Sequence, residues 1–203
     1  MPTALLINGF LAPRLSMHPL RWRLGSRGVQ RVRIAHMPPL GIQSVDRLAE
    51  AIDRSVDQIL AETGDAQVDL VGVSQGGLAA LRWLQSGGAS RTRRFVALGT
   101  PFAGTWFAAL GVPLLGAVSR GVWQSLPNSP LIAELAAAGV PAGVQVTSVA
   151  IPGDPVAPLA SCRLAGADFI TAPSTRSPLR HQALILSSGC ADIAAGVLLK
   201  PPG

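Results

Sequence analysis

The chain has 203 residues, 48% of them hydrophobic and only 14% charged, with a mean hydropathy of +0.38. This balance suits one domain with a sizeable core and excludes a disordered or low-complexity chain. The net charge is +6 and the pI about 11.2, with Lys200 the only lysine. Such a charge fits nucleic acid or an anionic surface in principle. However, Arg14, Arg21, Arg23, Arg27, Arg31 and Arg33 form no tidy basic helix, so they read as a solvated face and nucleic acid is not an expected partner.

In chain order, Thr3 to Ile7 reads as a short buried strand and Asn8-Gly9-Phe10-Leu11 as the turn after it. No basic region or cleavage site precedes that strand. This predicts a cytoplasmic protein, or a secreted or periplasmic one whose leader has been removed. Met17 to Leu24 has weak helical spacing, and Gln30 to Ala35 alternates as a strand near a sheet edge does. Ser44 is a good N-cap for a helix whose apolar face is Val45, Leu48, Ile52, Val56, Ile59 and Leu60, ending at Gly64.

An apolar run from Val68, rich in β-branched residues and ending in the motif described next, reads as a further buried strand, followed by a helix carrying Leu78, Leu81 and Leu84. Phe95 to Leu98 reads as a strand, Ser129 to Ala138 as a helix, Val144 to Ile151 and Ala167 to Thr171 as strands, and Cys190 to Leu199 as the last helix. Strands alternating with helices predict a mostly parallel sheet of about six strands with helices on both faces, in one domain over 1–203. The uncharged run Phe95 to Ser119 is broken by Pro101, Gly104, Gly111 and Pro113, so it is not expected to cross a membrane, which takes about 20 unbroken apolar residues.

The most informative stretch is Gly72-Val73-Ser74-Gln75-Gly76-Gly77, where a buried strand passes into a helix through Gly-x-Ser-x-Gly. This is the sequence form of a nucleophile elbow, a sharp turn that lifts a serine hydroxyl clear of the sheet. Gly72 and Gly76 flank the serine where a Cβ would collide, and the serine sits over a helix N-terminus. The amide of Gln75 is then placed to stabilise an oxyanion. Five residues of this form occur by chance in loops, and a serine in a glycine-rich turn is ordinarily a turn former. The strand before it and the helix after it give the motif its weight.

If Ser74 is such a nucleophile, its partners follow in the order serine, acid, histidine. The chain has three histidines, and His18 and His36 both precede Ser74, which leaves His181. The carboxylates between Ser74 and His181 are Glu134, Asp154 and Asp168. Glu134 lies inside a predicted helix and Asp168 begins a strand, at the sheet edge away from the site. Asp154 stands just past a strand's C-terminal end, where the ligand sites of open parallel sheets gather. Singly, each of these residues has an everyday structural role. Jointly, in this order and at the ends of predicted elements, they read as a catalytic triad.

These residues resemble the α/β-hydrolase fold, and within it the bacterial lipases and esterases in a compact form. The elbow reads Gly-Val-Ser-Gln-Gly-Gly, and the next strand ends Leu98-Gly99-Thr100-Pro101-Phe102-Ala103-Gly104-Thr105, close to the family's Leu-Gly-Thr-Pro-His-x-Gly-Thr. Asp154 sits in Pro-Gly-Asp-Pro-Val-Ala-Pro and His181 in His-Gln-Ala-Leu-Ile-Leu-Ser, similar to the family's acid and histidine segments. Val73 and Phe102 stand where relatives commonly have histidine, and Asn8-Gly9-Phe10 where many have His-Gly-Phe. The resemblance implies that the second oxyanion amide comes from Phe10 or Leu11, and that no metal or organic cofactor is used.

The implied activity is hydrolysis of carboxylic esters, as by a lipase or carboxylesterase, on an acyl ester or lipid substrate with transient contact to a lipid interface. A thioesterase, phospholipase or acyltransferase would use the same triad, and an idle hydrolase fold used as an interaction module is the alternative of another class. Residues 102–128, rich in apolar side chains among glycines and prolines, are expected to form a lid or acyl-binding insertion. Leu11, Phe102, Trp106, Leu110, Leu114 and Val156 are the expected substrate contacts. Cys162 lies eight residues after Asp154 and Cys190 nine after His181. Because the acid and histidine loops must adjoin, the two sulfurs are expected within bridging distance, as a disulfide or, in a reducing compartment, as two free core thiols.

Overall fold

The computed structural model describes residues 2–115, 117, 119–174 and 179–201, without the side chains of Leu40, Val112, Leu114 and Leu115. Its six strands are β1 (Ala4–Ile7), β2 (Val32–Ile34), β3 (Val68–Val73), β4 (Thr92–Leu98), β5 (Gln145–Ala150) and β6 (Asp168–Thr171). They form one sheet in the order β2-β1-β3-β4-β5-β6, and every pairing is parallel. The helices are α1 (His18–Ser26), α2 (Val45–Thr63), α3 (Gln75–Gln85), α4 (Phe107–Leu115), α5 (Arg120–Gln124), α6 (Pro130–Ala138), α7 (Ala183–Leu186) and α8 (Ser188–Leu199).

The sheet is buried on both faces because side chains alternate along each strand. Leu5, Ile7, Leu70, Phe95 and Val146 join one core with residues of α2, α3 and α6. Ala4, Leu6, Val71, Val96 and Val149 join the other, with residues of α1, α7 and α8. Burying a leucine, isoleucine or valine fully contributes about 1.5–3 kcal/mol, and Leu48, Ile52 and Val56 of α2 are all at 0–1% exposure. The helix ends are set locally. The Ser44 hydroxyl accepts from the Arg47 amide, and Gly64 closes α2 in the left-handed region at φ 70°.

The chain leaves β1 outward to the edge strand β2 and then returns past it to β3. This reversal opens a crevice at the C-terminal ends of β1 and β3, the usual place for a ligand in such a sheet. Asn8 to Leu11 leave β1 at that crevice and Ser74 leaves β3 beside it. At the opposite edge, Asp168 opens β6 in register with Thr147, far from those strand ends. Glu134 is on α6 and reaches Arg82, away from the crevice.

The stretch 102–128 differs from a loop. It contains α4, interrupted by Pro113, and α5, capped by the Ser119 hydroxyl on the Val122 amide. Glycine and proline at this density hide a helical period from the sequence.

Candidate active site

Ser74 sits at φ 55°, ψ −127°, a conformation costly for a residue with a Cβ, directly ahead of α3. The neighbours enforce it. A Cβ on Gly72 would fall 2.7 Å from Gly77 Cα, and one on Gly76 would fall 2.6 Å from the carbonyl oxygens of Ile7 and Asn8. The Ser74 amide donates to the Leu98 carbonyl at 2.9 Å, and its carbonyl accepts from Gly77. The hydroxyl is thus held at the strand end by backbone alone, half-buried, and it makes no hydrogen bond among the described residues.

The acid and the histidine meet. Asp154 is 2% exposed and follows β5 through a turn in which Gly153 takes φ 75°. Its Oδ1 accepts from the amides of Val156 at 2.9 Å and Ala157 at 3.2 Å, and its Oδ2 lies 2.7 Å from His181 Nδ1. With two amides fixing one oxygen, the other is aimed at the ring, and an ionised carboxylate there favours the proton on Nδ1 and leaves the Nε2 lone pair free. His181 is positioned by α7, whose buried Leu184 packs over the end of β4. Leu184 Cδ1 occupies the space of the missing Gly99 Cβ, 2.3 Å from it.

A second tie between these loops was not foreseen. Arg180 Nη1 donates to the Gly153 carbonyl at 2.9 Å, so the residues preceding the histidine and the aspartate are also joined. An arginine beside a histidine carries no sequence signal for this contact. The expected disulfide is absent: Cys162 and Cys190 are both free and buried. Cys162 clusters with Ala150 and Ala157, whereas Cys190 shares the core that holds Val149. Adjacent strand residues point to opposite faces, so the sheet itself separates the two sulfurs. Burial pushes the Cys162 thiol up to about 12, with the nearby Asp154 charge adding to it, and burial likewise pushes Cys190 up to about 11.

On the other side of Ser74, Asn8 Nδ2 donates to the Ala12 carbonyl at 2.6 Å and closes the loop that carries Phe10 and Leu11. Leu11 takes φ 53° within that loop. Neither the Phe10 nor the Gln75 amide donates to a described residue, and both residues line the same hollow as Ser74.

That hollow has a volume of about 300 Å³. Of the expected substrate contacts, Leu11, Leu110 and Val156 line it. Phe102 does not: it is 3% exposed and packs into the core with Leu131 and Leu135. Trp106 does not either, standing 73% exposed on the surface. The side chain of Leu114 lies outside the described residues. Phe107, Val122 and Pro101 complete much of the apolar wall. Thr105 and Ser125 also line it, but their hydroxyls are engaged by the carbonyls of Val156 and Gly121. A larger hollow of about 560 Å³, bordered by Asp46, Arg82, Arg120 and Glu134, is lined by no histidine, and its serines, Ser44 and Ser129, are engaged as the N-caps of α2 and α6. No cluster of metal-ligating side chains occurs among the described residues, nor does any helix long and apolar enough to cross a membrane.

Six parallel strands with helices on both faces, a strained serine after β3, an acid after β5 and a histidine before the last helices define the α/β-hydrolase fold, and this chain has it. Solved structures of that fold match it. Bacillus licheniformis lipase BlEst2 in its mature form aligns with a TM-score of 0.73 at 15% identity, over 97% of this chain and 91% of that one. Phospholipase PlaB from Legionella pneumophila in complex with thio-NAD aligns at 0.79 and 13% identity, over 98% of this chain and 59% of that one. Aspergillus fumigatus lipase B aligns at 0.72 and 22% identity, over 84% of this chain. The chain matches only 44% of the length of that lipase. No protein-family model matches the chain, and no curated protein does.

Proposed function

We propose that this protein is a serine hydrolase of carboxylic esters. Ser74 Oγ attacks the ester carbonyl while His181 Nε2 takes its proton, and the tetrahedral oxyanion is held by the amides of Gln75 and Phe10. Asp154 keeps the proton on Nδ1 and stabilises the imidazolium that forms. The imidazolium then returns the proton to the leaving alkoxide. Water, deprotonated by the same histidine, releases the acid from the acyl-Ser74 ester. Each oxyanion donor in comparable sites is worth roughly 3 kcal/mol of barrier.

The single observation that supports this reading most is the 2.7 Å pairing of His181 Nδ1 with a buried Asp154, on loops at the same sheet edge as the strained Ser74. A turn-forming serine does not need φ 55°, and a structural histidine does not need a carboxylate fixed by two amides. The lipases and phospholipase that share the fold add to this reading.

The apolar hollow beside Ser74 receives the acyl part of the ester. His181, which must protonate the leaving group, is not among its lining residues, so the alcohol leaves on the other side. About 300 Å³ is at the small end for ligand pockets and accommodates one acyl chain. Residues of α4 and α5 form the outer wall of this hollow and serve as its cover. Exposed Leu11, Phe107 and Leu110 at its rim present an apolar surface to a lipid substrate.

The test is hydrolysis of p-nitrophenyl acyl esters, with acyl thioesters and phospholipids assayed alongside. Wild-type protein is expected to hydrolyse the esters, and Ser74→Ala to lose that activity by on the order of a million-fold while keeping its fold. Activity persisting at a tenth of wild type in Ser74→Ala would remove the serine from the mechanism.

A further inference from the structure

The Thr105 hydroxyl does more than complete the wall of the acyl hollow. Thr105 is 7% exposed, and its Oγ1 accepts from the Phe107 amide at 3.1 Å and donates to the Val156 carbonyl at 2.5 Å. The directions are fixed, because an amide cannot accept and a carbonyl cannot donate. Opening the helix α4 needs only the acceptance from Phe107. The donation reaches a residue 51 positions on, in the loop that carries the acid.

That carbonyl belongs to the peptide unit joining Val156 to Ala157, and the N–H of the same unit donates to Asp154 Oδ1 at 3.2 Å. One planar peptide is therefore held at both ends, its oxygen by Thr105 and its hydrogen by the carboxylate. A hydrogen bond received at the carbonyl polarises the unit and strengthens donation from its N–H. The relay continues across the carboxylate to Oδ2, which lies 2.7 Å from His181 Nδ1. Among the described residues the Val156 carbonyl accepts from no other group, so Thr105 is the sole hydrogen-bond anchor of that end of the peptide.

The donor is itself held firmly. The Thr105 amide donates to the Ser125 carbonyl at 2.8 Å, just past α5, and the Gly104 carbonyl accepts from Ser161 Oγ at 2.5 Å. Gly104 takes φ 79°, and a Cβ there would fall 2.6 Å from Pro127 N. The start of the cover, the end of α5 and the acid loop thus meet around one buried hydroxyl.

We infer that Thr105 is a positioning residue for the catalytic acid, acting through the Val156–Ala157 peptide. This rests on the reading of Ser74, His181 and Asp154 as a triad. The hydroxyl touches none of the reacting atoms. It keeps Asp154 Oδ1 in the grip of the loop amides, so that Oδ2 stays aimed at Nδ1. Acylation and deacylation both pass a proton through His181, so the effect belongs to kcat whichever step is slower.

The test is steady-state kinetics of Thr105→Val and Thr105→Ser on p-nitrophenyl acetate and octanoate. Valine keeps the shape and loses the hydroxyl, and serine keeps the hydroxyl. Thr105→Val is expected to lose about tenfold in kcat on both esters, with KM within about twofold of wild type. Thr105→Ser is expected to stay within about threefold of wild-type kcat. An acetyl group makes little use of the hollow. A loss confined to octanoate, or carried by KM, would therefore make Thr105 part of the acyl wall only and overturn the inference.

Full kcat in Thr105→Val would overturn it as well, and so would an equal loss in Thr105→Ser, which assigns the effect to the methyl group. Where Thr105→Val does not fold, Thr105→Ala is measured against the same criteria. Failure of both to fold would overturn the inference in favour of a structural role. Wild-type protein that hydrolyses neither ester removes the triad reading itself, whereas wild-type activity indifferent to Thr105→Val removes this inference alone.

Discussion

Arg180 donates from Nη1 to the carbonyl of Gly153, one residue back from the His181–Asp154 pair on both strands of the contact. The two loops are thus joined twice, once through the reacting residues and once through their predecessors. Gly153 leaves space for this, since a Cβ there would fall 2.1 Å from Arg180 Nη1. Arg180 is a positioning residue, and Arg180→Ala should lower kcat roughly five- to tenfold with KM little changed, about the loss of one hydrogen bond. Gly153→Ala should do the same. Steady-state kinetics on one ester decides the point: an unchanged kcat in both variants would make the contact incidental.

Asn8 stands where relatives of this fold commonly carry a histidine, and its Nδ2 bond to the Ala12 carbonyl shapes the loop that presents the Phe10 amide. Asn8→Ala should loosen that loop and cost roughly 2–3 kcal/mol of transition-state stabilisation, close to the loss of one oxyanion donor. Asn8→Asp keeps the size but not the donor, so it should be as impaired. If Asn8→Asp retains full kcat, the amide–carbonyl bond is not what holds the loop.

Much of this site was readable in the sequence because its signals are local. Ser44 and Gly64 bracket α2 as caps do, and Gly72, Gly76 and Gly77 mark a crowded strand–helix turn. Chain order and the shortage of histidines and carboxylates then singled out Asp154 and His181. What escaped depends on direction rather than on position along the chain. Cys162 and Cys190 follow neighbouring loops, but one points to the Ala150 face of the sheet and the other to the Val149 face. Phe102, one residue past Pro101 in the hollow's wall, turns inward under α6 instead. The Thr105 relay and the Arg180 tie are tertiary facts with no periodicity to announce them.

The rim of the hollow yields a further prediction. Leu110 is 68% exposed and Phe107 48%, yet both line the cavity, as cover residues that meet the acyl chain do. Replacing both with serine removes little core packing, so the thermal midpoint should move only slightly. Activity on octanoate esters should fall more than on acetate esters, by about tenfold, because each lost methylene contact is worth roughly 1 kcal/mol or less. Equal losses on both chain lengths would assign these residues a structural role only.

The two buried thiols make stability sensitive to alkaline pH. Folded Cys162 and Cys190 are pushed up to about 12 and 11, while unfolded thiols ionise near their ordinary value. Below that value the contribution is fully present. As pH rises through it toward the folded values, the unfolded state binds fewer protons and stability falls. The chain suits this measurement, since it has no tyrosine and a single lysine to titrate in the same range. Urea midpoints should drop between pH 7.5 and 10.5, and drop less in the Cys162→Ala, Cys190→Ala double variant. Parallel pH profiles would show that the thiols are not the cause.

The central claim, that Ser74 is a nucleophile activated by His181, is tested most directly by labelling with a fluorophosphonate and locating the adduct by peptide mass spectrometry. One phosphonyl group should appear on the peptide containing Ser74 in the wild-type protein. His181→Ala should slow labelling by several orders of magnitude, because the hydroxyl loses its base. Labelling absent from the folded wild-type protein, found on another residue, or equally fast without His181 would contradict the account.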